Sequence, residues 1–482
     1  MSGEATSDGT GGSNPPAFDH TTFISPLTWR YGSPEMRQIW SEVNKRKLMR
    51  RVWVALAAAQ ERAGLVSADQ LADLRRQQEH VDLARSLELE REIRHDVMAE
   101  IRAYAEQCPE GAAVIHWGAT SADVTDNVDV LRMRQALTIL VERLGQLLGV
   151  FARRIEVTAA LPILAYTHIQ PAEPTTLGYR FAVYAQDLLE DYLDLRALKA
   201  GLRGKGLKGA AGTQASFQEM LEGSDVSAAE LEADAMQHLS LPVFPIATQT
   251  YSRRQDLRVM QTLAALAASL HKFALDFRLL QSPAFGEWAE FFASRQVGST
   301  AMPFKRNPIN MENVNSLARL VAALPGVAWD NASQAVLERS LDDSANRRLY
   351  LPQGFLLADE MLRRCTRTVE EMELDDGAMA ANLARYGPFA ATERVLVALV
   401  AAGADRQQAH EWLRQASLQA RERLRRGAEA NSLPDLLASD PRILDFLAVD
   451  RLHALMNAET YIGTAPQRAL SLAQTIREKV QE

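Results

Sequence analysis

Leu263-Ala-Ala-Leu-Ala-Ala-Ser-Leu-His-Lys-Phe-Ala-Leu-Asp-Phe-Arg-Leu-Leu280 sets large apolar residues at Leu263, Leu266, Leu270, Phe273, Phe277 and Leu280, in steps of 3, 4, 3, 4, 3. That spacing puts all six on one stripe of an α-helix, and such a stripe has to be covered by other helices. A second seam, Leu137, Val141, Leu144, Leu148, Phe151 and Ile155, steps by 4, 3, 4, 3, 4. No proline interrupts Thr175 to Leu241 or Ile246 to Ser282. Helices of about 25 residues, each some 40 Å long, are expected there. No sustained alternation of apolar and polar residues calls for a sheet. The expected fold class is all-α: a long central helical bundle with smaller helical regions on either side.

Outward from the seams, glycines and prolines mark the interruptions. Pro162, Pro171 and Pro174 bracket Tyr166-Thr167-His168-Ile169-Gln170; Gly201, Gly204, Gly206, Gly209 and Gly212 form a second stretch; Gly298, Pro303 and Pro308 bound a third. Each carries polar residues, and loops on a rigid scaffold are where chemistry is usually placed. The expected organisation is three helical domains, 21–120, 121–374 and 375–482, after a disordered tail over 1–20 that is rich in Gly, Ser, Thr and Pro and lacks the apolar core of a signal peptide. The 482 residues suffice for a large core. Two cysteines, Cys108 and Cys365, exclude a disulfide framework or a cysteine-rich metal site and suit a reducing cytosol. The net charge of -8 argues against nucleic acid as the partner. The longest apolar run found, Val395–Ala404, is ten residues, too short to span a membrane.

Several patterns compete for a function. Gly204-Lys-Gly-Leu-Lys-Gly209 has the spacing of a dinucleotide loop, but Asp187–Lys199 before it reads as helix where the fingerprint requires a strand. Glu92-x-x-His95 is a single pair, and a di-metal carboxylate centre in a bundle needs two. His168 sits between prolines beside Thr167 and Gln170; His95 and His116 also lie among polar residues. Each is either a hydrogen-bonded structural histidine or an acid–base group. Val297-Gly-Ser-Thr-Ala-Met-Pro-Phe-Lys-Arg-Asn-Pro308 is either a plain surface loop or a Gly-hinged grip, since Ser299, Lys305, Arg306 and Asn307 suit carboxylates and developing negative charge. Arg339-Ser-Leu-Asp-Asp-Ser-Ala-Asn-Arg-Arg348 is either a solvated helix face, with Asp343 and Arg347 as an i,i+4 pair, or a phosphate site built on Arg339, Ser344 and Arg348.

The stretch from Gly298 to Pro308 resembles the signature loop of the fumarase/aspartase superfamily, whose members release fumarate from succinyl compounds by β-elimination. Other segments resemble the adenylosuccinate lyase family within it: Ser25-Pro-Leu-Thr-Trp-Arg-Tyr-Gly-Ser-Pro-Glu35, Arg94-His-Asp-Val-Met98, His116-Trp-Gly-Ala-Thr-Ser121, Thr167-His-Ile-Gln-Pro-Ala172, Gly206 to Phe217, Gln249-Thr-Tyr-Ser-Arg253 and Leu341 to Arg348. The resemblance implies the three-domain fold of that superfamily. It implies His168 as the general acid, Ser299 as the general base, and Glu312 as a support for the histidine. Lys305 and Asn307 would hold the succinyl carboxylates. Thr120, Ser121, Thr167 and Gln249, with Arg94, His95 and Asp96, would bind substrate. Arg30, Tyr31, Arg339, Ser344 and Arg348 would grip the nucleotide and its phosphate. Asn313 stands where some members have arginine, which bears on the balance between the family's two substrates.

The residue types fit that chemistry. Proton loss beside a carboxylate gives a dianionic, enolate-like species that fixed donors and cations must stabilise. The leaving nitrogen needs a proton from the opposite face, which a histidine supplies. A serine base needs an anion-stabilising setting, and Lys305 and backbone N–H groups offer one. No cofactor and no metal are implied; the partner is a small-molecule nucleotide, and the resemblance implies a cytoplasmic homotetramer of purine biosynthesis with sites shared between subunits. The long helices between His168 and Ser299 add an expectation that one chain holds those two loops apart. The alternatives are another superfamily lyase, such as an argininosuccinate lyase, which has no need of a phosphate grip, or a non-catalytic helical structural protein, which has no reason to keep His168, Ser299 and Lys305.

Overall fold

A computed structural model describes residues 21–481. The tail expected over 1–20 lies outside the described residues.

Five long helices form the bundle: α1 (Ser121–Thr158), α2 (Leu177–Gly201), α3 (Arg254–Gln281), α4 (Ile309–Ser333) and α5 (Asp342–Glu371). The two seams face its centre. Leu263, Leu266, Leu270, Phe273 and Phe277 are fully buried in α3, as are Leu137, Leu144, Leu148, Phe151 and Ile155 in α1. The rings interlock edge to face: Phe273 meets Phe151 and Tyr184 with centroids 5.4 Å apart in both pairs. By length and hydropathy alone α1 passes for a membrane span, but 56% of its apolar window is buried inside the molecule, as befits the core helix of a bundle.

Prolines did not stop three helices. Pro325 lies inside α4, Pro352 inside α5 and Pro388 inside the Asp376–Ala401 helix. Packing on both sides of the break keeps each axis going where propensity alone ends it.

A second departure is a β-hairpin. Between α1 and α2 the chain forms β1 (Pro162–Thr167) and β2 (Gln170–Thr176), antiparallel, with Tyr166 opposite Pro171 and Leu164 opposite Pro174. A two-stranded ribbon has only edges, so prolines fit where a wider sheet excludes them. Its adjacent buried residues Ile163 and Leu164 also break the alternation that signals a strand. A second ribbon pairs Trp288–Ala289 with Glu373–Leu374.

Residues 391–456 supply a separate small core that includes Val395, Leu399, Leu413 and Leu452. The Ala465–Gln481 helix does not join it. Ala469, Ala473 and Ile476 enter the main core, and Arg477 pairs with Glu156 of α1 at 2.6 Å.

Candidate active site

The bundle has two functional ends. At one, α1 and α3 begin, α4 ends and α5 begins. There a cleft of about 550 Å³ gathers Arg94, His95, Asp96, Thr120, Ser121, Gln249, Arg339, Ser344 and Arg348, nine of the residues singled out from sequence. Arg94 and His95 turn the chain between the helices Leu83–Ile93 and Asp96–Gln107. Arg94 takes a left-handed φ of 54°, and His95 caps the second helix, its Nδ1 accepting the Met98 N–H at 3.3 Å. Thr120 caps α1, and its N–H donates to Asp123 at 2.9 Å. The start of a 38-residue helix presents positive dipole charge to the cleft, which favours an anionic ligand.

Asp96 pairs with Lys45 at 3.4 Å and Arg348 at 3.3 Å. Burial opposes its ionisation, but the two cations outweigh burial and hold its pKa below the usual carboxylate value. Beneath the cleft lies an ion-pair network that sequence reasoning did not see. Arg253 reaches both oxygens of Asp126, at 3.0 and 3.2 Å, and Asp343 at 2.6 Å. Arg347 donates to Asp256 at 2.8 Å and to the Tyr251 hydroxyl at 2.8 Å. The surface pair expected between Asp343 and Arg347 is therefore not formed. Asp343 pairs with Arg339 at 3.0 Å, one turn back, while Arg347 turns inward. The network ties the segment after Gln249 and the start of α5 to α1, so the cleft walls are fixed before any ligand arrives.

At the other end stand the hairpin and the 298–308 loop. Thr167, His168, Ile169 and Gln170 form the exposed tip of the hairpin. His168 and Ile169 both have positive φ, 54° and 58°, as a two-residue turn of this twist requires. A β-branched residue in that region is strained. The stalk is pinned: Tyr166 stacks edge-on against Phe285 at 4.8 Å, and Arg180 bridges Glu287 and the Leu164 carbonyl, each at 2.6 Å. In the 298–308 loop the Ser299 Oγ accepts the N–H groups of Ala301 at 3.4 Å and Met302 at 3.1 Å. Donors aimed at that oxygen favour its anionic form. Asn307 clasps the loop by donating to the Gly298 carbonyl at 3.1 Å, and a side chain at Gly298 would meet the Lys305 carbonyl at 2.0 Å. Lys305 is exposed.

One expectation needs correction. Long helices do lie between His168 and Ser299, but α2 runs out and α3 runs back. The hairpin stalk and the base of the loop both rest on residues 281–290, through Tyr166–Phe285 and through Gln281 to the Arg306 carbonyl at 3.2 Å. What the helices separate is the cleft from both tips: α1 alone is about 57 Å long. Glu312 pairs with Arg278 at 3.7 Å, and no hydrogen bond among the described residues joins it to His168. Arg30 and Tyr31 do not line the cleft. They follow the short Pro26–Trp29 helix, and the next two residues donate to Glu360 and Asp359, about 17 Å along α5 from Arg348. His116 is half-buried against the core: its Nδ1 accepts the Trp53 indole N–H at 3.0 Å, and burial lowers its pKa.

A family model described as a lyase matches residues 30–323, and one described as the adenylosuccinate lyase C-terminus matches 388–469. An adenylosuccinate lyase of Schistosoma mansoni is 37% identical over 456 residues, covering 91% of this chain and 95% of that protein. The chain belongs to the adenylosuccinate lyase family. A relative of the same name from Archaeoglobus fulgidus is 36% identical over 457 residues, 94% of this chain and 99% of that one. Among solved structures, the 3-carboxy-cis,cis-muconate lactonizing enzyme of Pseudomonas putida superposes with a TM-score of 0.82 at 26% identity, over 94% of this chain and all of that one. The all-α fold and the lyase class read from the motifs are borne out.

Proposed function

We propose that the chain eliminates fumarate from adenylosuccinate, giving AMP, and from SAICAR, giving AICAR, as a cytoplasmic homotetramer. The observation that carries this is the convergence of nine candidate binding residues on one cleft with a helix start and several arginines in its wall. A phosphorylated nucleotide fits that cleft, and Arg339, Ser344 and Arg348 are its phosphate grip. Ser299, held by two N–H donors, removes the proton beside the succinyl carboxylate; Lys305 and Asn307 hold the carboxylates; His168 protonates the leaving nitrogen. The acid and base are a bundle length from the cleft of their own chain, so neighbouring copies complete each site. The domain division 21–120, 121–374 and 375–482 belongs to the same reading.

The direct test is fumarate release, followed by ultraviolet absorbance, from adenylosuccinate with purified protein. No release from either substrate would defeat the reading. Site sharing is tested by mixing two inactive variants, Gln249→Glu in the cleft and Ser299→Ala in the loop, after reversible dissociation. About one quarter of sites regain both residues if the cleft and loop of a site come from different chains. Hybrids proven by native mass spectrometry yet as inactive as their parents would refute sharing. The same mixture with His168→Gln and Ser299→Ala tests whether those two tips also serve different sites.

A further inference from the structure

Gly204-Lys-Gly-Leu-Lys-Gly209 has the spacing of a phosphate-gripping loop, follows a helix, and takes no part in the chemistry above. The structure shows what it holds. One oxygen of Asp123 accepts from Lys205 Nζ at 2.5 Å, from the Lys208 N–H at 3.0 Å and from the Gly209 N–H at 3.2 Å. The other accepts from Gly209 at 3.2 Å and from the Thr120 N–H at 2.9 Å. An ammonium and three backbone N–H groups thus converge on one carboxylate, as they do on phosphate in nucleotide-binding loops. Here the anion is a side chain of the protein's own α1. Asp123 and Lys205 are fully buried, and Lys205 also donates to the Gly209 carbonyl at 2.9 Å, so its charge is satisfied internally and faces no ligand.

The loop is clamped on two further sides. Asn127, one turn along α1, exchanges hydrogen bonds with the Gly206 N–H and carbonyl, both at 3.1 Å. Glu232 accepts from the Leu207 N–H at 2.8 Å and from Lys208 Nζ at 2.6 Å. Gly206 has a φ of 83°, and a Cβ there would lie 1.9 Å from a Glu232 oxygen, so the cradle requires glycine.

We propose that Asp123 is a positioning residue: the 204–209 loop grips its carboxylate, and that carboxylate fixes Thr120 and Ser121 at the floor of the cleft. The oxygen shared by Gly209 and Thr120 makes the link, since any turn of the Asp123 side chain moves the N-cap of α1. The inference rests on the reading that Thr120 and Ser121 bind substrate. An amide at this position cannot replace the carboxylate, because one of its ends would set an N–H₂ against donors.

The test uses the full chain with Asp123→Asn, Lys205→Met and the double variant. Asp123→Asn should raise KM for adenylosuccinate about tenfold or more while kcat stays within about threefold. The double variant removes the stranded lysine and should regain the lost thermal midpoint without regaining KM. If KM recovers together with the midpoint, or never changes, the loop is only a structural tie and the proposal fails. Should Asp123→Asn not fold, Lys205→Met alone must raise KM, and an unchanged KM in that variant would also overturn the proposal. Hydrogen exchange separates this failure from failure of the lyase reading. Peptides covering 115–125 and 204–212 should exchange faster in Asp123→Asn while 263–280 stays unchanged, whatever the substrate. Unchanged exchange at 115–125 would show that the carboxylate does not hold Thr120.

Discussion

The two ends of the bundle are built by opposite means. The cleft end is held by buried charge: Arg253, Arg347, Asp126, Asp256 and Asp343 satisfy one another beneath the binding wall. The hairpin and loop end offers exposed tips, with His168 on a strained turn and Lys305 in the open, each anchored only at its base. The cleft wall is thus pre-organised within one chain, while the tips of the hairpin and the 298–308 loop stand out from it, supported at their stalks.

This contrast is open to challenge. The largest effect expected is on turnover at the exposed end. His168→Gln and Ser299→Ala should each lower kcat at least about a hundredfold, the scale of acid–base catalysis, with unchanged helical circular dichroism. Near-normal turnover in either variant would remove that residue from the chemistry. At the cleft end the cost should fall on stability instead. Asp126→Ala leaves Arg253 and Arg347 short of a buried partner, and urea unfolding should show a loss of about 3–5 kcal/mol. In the same cleft, Arg348→Ala removes an exposed cation and should raise KM with the fold intact. A stability loss there equal to that of Asp126→Ala would erase the distinction between frame and grip.

Another buried aspartate has no such partner. Asp191 of α2 has one oxygen buried without a donor. Burial first, and then its acidic neighbours Asp194, Asp187 and Glu190, push its pKa up from 3.8 to about 6, against a hydrogen bond from Ser269. Because the folded value lies above the unfolded one, the fold prefers the protonated form. Stability from this group is present below about pH 4, declines as pH rises to about 6 and is absent above that. Asp191→Asn should therefore stabilise the protein by up to about 3 kcal/mol at pH 7.5 and by little at pH 4. Equal effects at both pH values would show that Asp191 stays charged. The smallest effect belongs to the hairpin tip. Ile169→Asn places a residue tolerant of positive φ in the turn and should raise stability by about 1 kcal/mol; a lower thermal midpoint would mean that the isoleucine side chain packs more than it strains.

The sequence made the seams of α1 and α3 legible because six apolar residues in register leave one face to bury. It made the polar interruptions legible because glycine and proline constrain the backbone locally. The hairpin stayed hidden behind Pro171 and Pro174, which read as breaks and are edge residues of a ribbon. Lys45, Arg132, Arg253 and Arg347 of the cleft were missed as site residues for a different reason. In a sequence, a cation that enters a buried network looks the same as one on a wet helix face. The 204–209 spacing was a true signal of anion binding attached to the wrong anion. Arg30 and Tyr31 stand away from the cleft of their own chain, because the two residues that follow them are pinned to the middle of α5.

The helix over Ala465–Gln481 has a consequence in time. It fills a groove along α1 and α2, helices complete by residue 201. At 5–20 residues per second, ribosomal synthesis from 201 to 465 takes roughly 13 to 53 s. Through that interval the side of α1 and α2 that later receives Ala469, Ala473 and Ile476 stays bare and apolar. The groove is therefore one of the last parts of the main core to be covered as the chain is made.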